Sequence, residues 1–224
     1  MLLKHCYDYP TLKRVKDASG MRQYVAGSET PVPSVTTILD KTADKTHLYE
    51  WKKRVGAAEA QRQSTQAAGY GTLVHNSLEK YILGEPWEVT GNNLVHVMAR
   101  RGVQVMIDQG LCNAQEIWGV EVGLIAPEIY AGTTDSVGIY RGKPSIIDYK
   151  TSKQIKKREW ISDYFMQGCA YALAHNEMFG TNIQQVAILM VDREGNFQDF
   201  VIEGEEFVYF SEQWANRIGD YYGY

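Results

Sequence analysis

No part of this sequence approaches the roughly 20 consecutive apolar residues that a membrane-spanning helix requires, so no transmembrane anchor is expected. Cysteine is scarce. Cys6, Cys112 and Cys169 are odd in number and far apart, which argues against a disulfide framework or a zinc spacing and for free thiols in a reducing compartment. Six prolines, no biased tract and no internal repeat exclude a solenoid or a long disordered tail. Positive charge is in deficit, with 23 Lys and Arg against 27 Asp and Glu. A globally basic nucleic-acid binder is thereby excluded, but a local basic stripe beside an acidic site is not. The first twenty residues lack an apolar run and carry Asp8 and Asp17 among their bases. Neither a secretory signal nor a transit peptide is expected, and the expected location is the cytoplasm of a bacterial or infected cell.

A chain of 224 residues is long enough for one domain with a substantial core. Its organising stretch is AGTTDSVGIYRGKPSIIDYKTS, residues 131–152. The β-branched and aromatic residues on either side of Gly142 and Pro144 predict two strands, 131–140 and 145–151, joined by a turn. Side chains two apart share a strand face, so Ile146, Asp148 and Lys150 line one side while Ile147 and Tyr149 line the other. A hairpin here would set Asp135 opposite Asp148. Two carboxylates that close repel unless a cation or proton lies between them, and oxygen donors of this kind suit Mg²⁺ or Mn²⁺. With a neighbouring lysine they suit displacement at phosphorus; a solvated surface ion pair is the plainer alternative.

Around this hairpin the periodicity alternates between helix and strand. Residues 21–26 read as a strand, 27–29 as a turn, and Ser34 as the cap of a short helix over 35–39. Residues 47–66 read as a helix bearing Trp51, Lys52 and Lys53, with Trp51 either stacking on a base or packing in the core. Gly69-Tyr70-Gly71 is expected to end it and open another helix over 72–83, whose buried face is Val74, Leu78 and Ile82 with His75 at its edge. A helix over 92–109 follows. In the strand at 112–126, Val120, Val122 and Leu124 are expected on one face and Glu121 on the other, as an edge residue or part of a site. Lys153, Lys156, Lys157 and Arg158 form the densest basic run, a phosphate path or a solvated turn. A helix over 160–179 places Gln167 and Tyr171 on one face; a buried strand (185–192), an edge strand and an aromatic-striped core helix close the chain.

Asp135, twelve intervening residues, then Asp148 within I-I-D-Y-K-T (residues 146–151) with Lys150 two further on resembles the PD-(D/E)xK nuclease superfamily. G-T-L-V-H at 71–75 and Gln167-x3-Tyr171 resemble its RecB-like branch. P-S-V-T-T-I-L at 33–39 and W-K-K-R-V-G at 51–56 resemble the mitochondrial genome maintenance exonuclease type and its phage relatives. The resemblance, covering about 24–180, implies an α/β (α+β) fold with a restriction-endonuclease-like core, its mixed central sheet flanked by helices. It also implies extra N-terminal helices, making residues 1–66 a helical, DNA-gripping extension and 67–224 the nuclease core. It implies a metal-dependent DNA exonuclease acting on linear single strands in replication, recombination or repair, with a recombinase or single-strand-binding protein as a possible partner. Asp135, Asp148, Lys150 and Gln167 would be catalytic. His75, Glu121, Asp135, Asp148 and the Tyr149 carbonyl would hold one or two Mg²⁺ or Mn²⁺ ions. Ser34, Thr36, Thr37, Trp51, Lys52, Lys153, Lys156, Lys157, Arg158 and Tyr171 would contact DNA. Some members of the branch carry an iron–sulfur cluster on four cysteines, which three cysteines cannot supply.

Overall fold

The computed structural model describes residues 2–25 and 30–224, so the turn expected at 27–29 lies outside it. The strands are β1 (Leu2–Leu3), β2 (Lys13–Lys16), β3 (Arg22–Val25), β4 (Val32–Pro33), β5 (Ala114–Ala126), β6 (Tyr130–Tyr140), β7 (Lys143–Ser152), β8 (Gln185–Asp192) and β9 (Phe197–Glu203). The helices are α1 (Val35–Thr42), α2 (Thr46–Val55), α3 (Ala57–Leu83), α4 (Leu94–Val105), α5 (Ser162–Phe179) and α6 (Glu205–Tyr222).

Six strands form one mixed sheet in the order β1-β5-β6-β7-β8-β9. The run β5-β6-β7 is an antiparallel meander, and β8 and β9 form a further antiparallel pair. Strand β8 lies parallel to β7, which is possible because α5 provides the crossover. Helices α1, α5 and α6 cover one face of the sheet, and α3 and α4 the other. This is the α/β architecture expected, a mixed central sheet flanked by helices.

The meander follows from local chemistry. Tyr140 pairs with Lys143, leaving Arg141 and Gly142 as a two-residue turn with φ of 49° and 81°. Positive φ at both positions gives the turn a twist that matches the strands, and Gly142 adopts it without steric cost. The alternation along β7 holds: Ile146 packs with Val137 and Ile188 under α5, whereas Ile147 and Tyr149 pack with Leu189 and Val191 under α3 and α4. All eight residues of β8 are buried, as its continuous apolar run requires.

Residues 1–66, expected as a helical extension with one strand at 21–26, carry four strands besides their helices among the described residues. Strand β1 pairs with β5 in the main sheet, and β2, β3 and β4 form a separate three-stranded sheet. Helix α1 sinks Val35, Ile38 and Leu39 into the core beneath α5 and α6. The helical interruption expected at Gly69-Tyr70-Gly71 lies instead at Gly56, whose φ is 84°. Helix α3 runs straight through Gly69 and Gly71, because Tyr70 is buried with its hydroxyl donating to the Asp192 carbonyl at 2.8 Å. A Cβ on Gly71 would stand 3.2 Å from Thr151 Oγ1, so that glycine sets the close approach of α3 to β7. Helix α4 stops at Val105, widens into a π turn over Met106–Gly110 and then tightens into a 3₁₀ turn over Leu111–Asn113. On α5, Ala170 and Ala174 are buried against the sheet, while Leu173 is exposed.

At the far end of α5, His175 is fully buried among Tyr7, Tyr9 and Phe179, accepting from Tyr9 Oη and bonded through Nδ1 to Thr181 Oγ1. Burial pushes its imidazole down to about 4. Below about pH 6.5 the unfolded chain binds a proton there that the folded chain refuses, so stability is complete above pH 6.5 and falls toward pH 4. Melting at pH 5 against pH 7.5 should show this loss, up to about 3 kcal/mol in full, and His175→Gln should flatten the profile. An equal slope in that variant assigns the acid sensitivity elsewhere.

Candidate active site

The hydrogen-bonded pairing of β6 with β7 ends at Ser136 and Ile147, and the same register carried one step further sets Asp135 across from Asp148. Here the Tyr149 amide donates to Asp135 Oδ2 at 2.6 Å. The N–H and C=O of one strand residue point the same way, so the Tyr149 carbonyl is directed to the Asp135 side as well. From α3, His75 Nδ1 donates to Asp135 Oδ1 at 2.9 Å. The GTLVH stretch thereby reaches the strands through one helix turn.

Glu121 completes the group, by a route that strand alternation does not predict. Its φ is +50°, a left-handed conformation uncommon for a residue with a side chain. The kink reverses the alternation, so Val120 packs toward α3 and α4 while Val122 and Leu124 pack under α5. The expectation that these three share a face is corrected accordingly. Glycines on either side permit the geometry. A Cβ at Gly119 would meet Tyr9 at 2.6 Å, and one at Gly123 would meet the Pro10 carbonyl oxygen at 2.4 Å, where the N-terminal segment crosses β5. Potential ligand atoms of His75, Glu121 and Asp135 consequently lie within 4.8 Å of one another.

The electrostatics of the group are divided. Partial burial, then the charges of Asp135 and Glu79, push the Glu121 carboxyl up to about 7. Asp148 is also raised, by burial and by Asp135, with Lys150 opposing. Asp135 goes the other way: burial raises it, but His75, Lys150 and the Tyr149 amide together hold it below the usual carboxylate range. Burial lowers His75, and Asp135 more than restores it. A divalent cation would relieve the two raised carboxyls and leave Asp135 content, so this donor set fits Mg²⁺ or Mn²⁺. Glu121→Gln is therefore expected to stabilise the metal-free protein by about 1 kcal/mol after solvent screening, while weakening metal binding at least tenfold. Melts with and without chelator check both signs; a destabilised apoprotein would contradict the first.

Lys150 is half-buried between the two sides of the site. It forms an ion pair with Asp148 Oδ2, which has no hydrogen bond among the described residues. Its Nζ donates to Gln167 Oε1 at 3.0 Å and lies 4.9 Å from the Tyr164 ring centre. Burial lowers its pKa, yet Asp148 and Asp135 hold it above the usual lysine value, so the ammonium stays charged. Gln167 Nε2 in turn donates to Tyr171 Oη at 3.3 Å, one helical turn on.

A cleft of about 290 Å³ opens beside Glu121, floored by Gly132, Gln167 and Tyr171 and walled by Arg14, Arg22, Tyr24, Ser34 and Thr36. The two arginines come from β2 and β3 and were missed in the sequence. The signal for Arg14 is the lone apolar Val15 among cations in K-R-V-K over residues 13–16, a short edge strand, whereas Arg22 opens the strand expected over 21–26. Tyr164, lying between Lys150 and Lys156, was missed as well.

Several expected DNA contacts are placed differently. Tyr171 is 3% exposed and packs against Gly132, so it positions Gln167 and offers no outer surface. Ser34, 2% exposed, spends its hydroxyl on the Thr37 amide at 3.0 Å, and Thr37 Oγ1 donates to the Arg22 carbonyl. Thr36 and Thr37 are both half-buried, and Thr36, its Oγ1 3.0 Å from Ser34 Oγ, is the one that lines the cleft. Arg158 is tied to both oxygens of Glu206 and to the Val201 carbonyl, a role in fixing α6. Lys153 and Lys157 are exposed, and Lys156 lies over the Tyr164 ring at 4.7 Å. Trp51 is half-buried and Lys52 exposed on α2, beside the start of α3. Lys153 stands near that corner, adding to the pull by which Arg62 and Gln63 lower the Glu59 carboxyl.

No helix among the described residues is long and apolar enough to cross a membrane. No family model matches the sequence, and no curated protein matches it. Among solved structures, the chain is similar to the crystal structure of a "putative exonuclease" from Eubacterium rectale, at 13% identity and a TM-score of 0.48, over 70% of this chain and 68% of that one.

Proposed function

We propose that this chain is a metal-dependent DNA exonuclease of the RecB-like branch, degrading linear single strands from their ends. The observation that carries this reading is the convergence of His75, Glu121 and Asp135 within 4.8 Å beside the Asp148–Lys150 pair. Those residues, with Asp148 and the Tyr149 carbonyl, would hold one or two Mg²⁺ or Mn²⁺ ions. When bound, the cation neutralises the phosphodiester and makes water acidic enough to attack at neutral pH. Lys150 holds a proton and a positive charge at the place where negative charge develops on phosphorus, and Gln167 fixes its ammonium. Arg14, Arg22 and Thr36 offer phosphate contacts on the cleft wall. Lys153, Lys156 and Lys157 offer a path for the backbone beyond Lys150, with Lys52 at the α2 corner.

A duplex-resecting exonuclease or an endonuclease would use the same residues. A silent DNA-binding module would have no need for a charged lysine held against two acids, and the intact Asp135, Asp148 and Lys150 favour turnover. The test is cleavage of end-labelled linear single strands, linear duplex and closed single-stranded circles, with Mg²⁺, Mn²⁺ or chelator, alongside Asp148→Ala. Metal-dependent loss of linear strands that spares circles and needs Asp148 is expected. Cleaved circles would make the enzyme an endonuclease, and binding without any cleavage would make it a silent module.

A further inference from the structure

We propose that Trp160 and Lys157 form a docking platform for one unpaired nucleobase on the strand running away from Lys150. This rests on the nuclease reading above and deepens it, because it supplies a reason for single strands that lies in the surface itself.

Trp160 is 66% exposed, against 1% for the next residue, Ile161. What sets this ring apart from the other exposed apolar side chains is a rigid mount with a cation beside it, which offers a planar base a π face next to a positive charge. The element is rigid. Residues Arg158–Trp160 form a 3₁₀ turn closed by the Trp160 amide donating to the Lys157 carbonyl at 3.0 Å. Arg158 is pinned to Glu206 on one side and Ile161 is sunk in the core on the other. The two residues between and beside these anchors that project are Lys157 and Trp160. Lys157 Nζ lies 5.3 Å from the Trp160 ring centre, with Glu159 a further 4.0 Å contact of that ammonium. One ring face thus carries a cation, and the opposite face can take a base.

The platform is also in line with the chemistry. Four residues beyond Trp160, the Tyr164 ring lies 4.9 Å from Lys150 Nζ and 4.7 Å from Lys156 Nζ. Lys150 and Lys156 thus flank Tyr164, whose hydroxyl accepts from Lys156 Nζ at 2.6 Å, and Lys157 and Trp160 belong to the same segment between β7 and α5, so cations and rings recur along the chain that leads away from Lys150. In a duplex the base faces are already stacked on one another, and a surface tryptophan has nothing to receive. The ligand class is accordingly an unpaired base of single-stranded nucleic acid, in any sequence, since every base has a π face.

The test measures binding, with chelator present so that nothing is cut, of a labelled single-stranded oligonucleotide and a blunt duplex of equal length to wild type, Trp160→Ala and Trp160→Phe. Trp160→Ala should weaken single-strand binding about tenfold or more and leave duplex binding unchanged, while Trp160→Phe keeps most of the affinity. Tryptophan fluorescence quenched by the oligonucleotide in wild type should lose its larger part in Trp160→Phe. Unaltered single-strand affinity in Trp160→Ala overturns the platform, as does an equal loss on duplex. Cleavage by wild type with metal separates the two levels: a wild type that cuts single strands while Trp160→Ala binds them normally removes the platform alone. A wild type that neither binds nor cuts removes the nuclease reading with it.

Discussion

Lys150→Met should lower the rate of strand cleavage by about 10²–10³-fold while leaving DNA binding, measured with chelator, within a few-fold of wild type. Methionine keeps most of the apolar stem and removes the charge, so the loss reads the ammonium and not the packing. The ammonium is held by Asp148 and Gln167 and stays protonated because the two acids outweigh the cost of its burial. Its charge is in place before substrate arrives and needs no rearrangement during reaction, which is why one lysine can account for several kcal/mol of barrier. Residual cleavage within tenfold of wild type would reduce Lys150 to a structural counter-ion.

Asp135→Ala should abolish metal-dependent cleavage and also lower the melting temperature of the metal-free protein. Two opposing effects decide the sign. Removing the carboxylate relieves repulsion on Glu121 and Asp148, both raised partly by it. It also strips the acceptor from the Tyr149 amide and from His75 Nδ1, and an unsatisfied buried donor costs about 1–3 kcal/mol. Because the net environment holds Asp135 below its usual range, the protein favours that charge, and the loss outweighs the relief. At roughly 2–4 °C per kcal/mol for a chain of this size, the expected drop is several degrees. A variant that melts at or above wild type would mean that repulsion dominates. The contrast with Glu121→Gln is informative: two ligands of one proposed cation, with opposite effects on the apoprotein.

The parts that were legible in the sequence are those in which one period decides. Ile146, Asp148 and Lys150 against Ile147 and Tyr149 followed from alternation, and the turn at Arg141-Gly142 followed from the glycine. The α5 face bearing Gln167 and Tyr171 followed from i, i+4 spacing. What failed depended on single dihedrals or on contacts between distant segments. No periodicity reveals that Glu121 has φ of +50°, and the alternation rule therefore put Val120 with Val122. Two nearby glycines suggest a break at 69–71, yet of Gly56, Gly69 and Gly71 it is Gly56 alone whose φ is positive, and the break lies there. Among the four cations at 153–158, charge alone could not separate Arg158, which has Glu206 48 residues away as its partner, from Lys156 and Lys157. Arg14 and Arg22 reach the cleft only because β2 and β3 fold back beside α1, a long-range event that local patterns do not encode.

The kink at Glu121 has a second effect, on self-association. Strand β5 is 13 residues long, and among the described residues its outer edge is paired by Leu2 and Leu3 of β1, with the Lys4 amide donating to the Ile117 carbonyl at 2.7 Å. A long flat edge is a template on which a second copy could add a strand and begin an aggregate. Two breaks of register, between Ala114 and Glu116 and between Ile117 and Gly119, lie just ahead of the left-handed residue. Irregularities of this kind twist an edge away from any straight partner. The distortion that aims a carboxylate inward thus also guards the outer edge, so straightening β5 would cost the protein solubility together with its site.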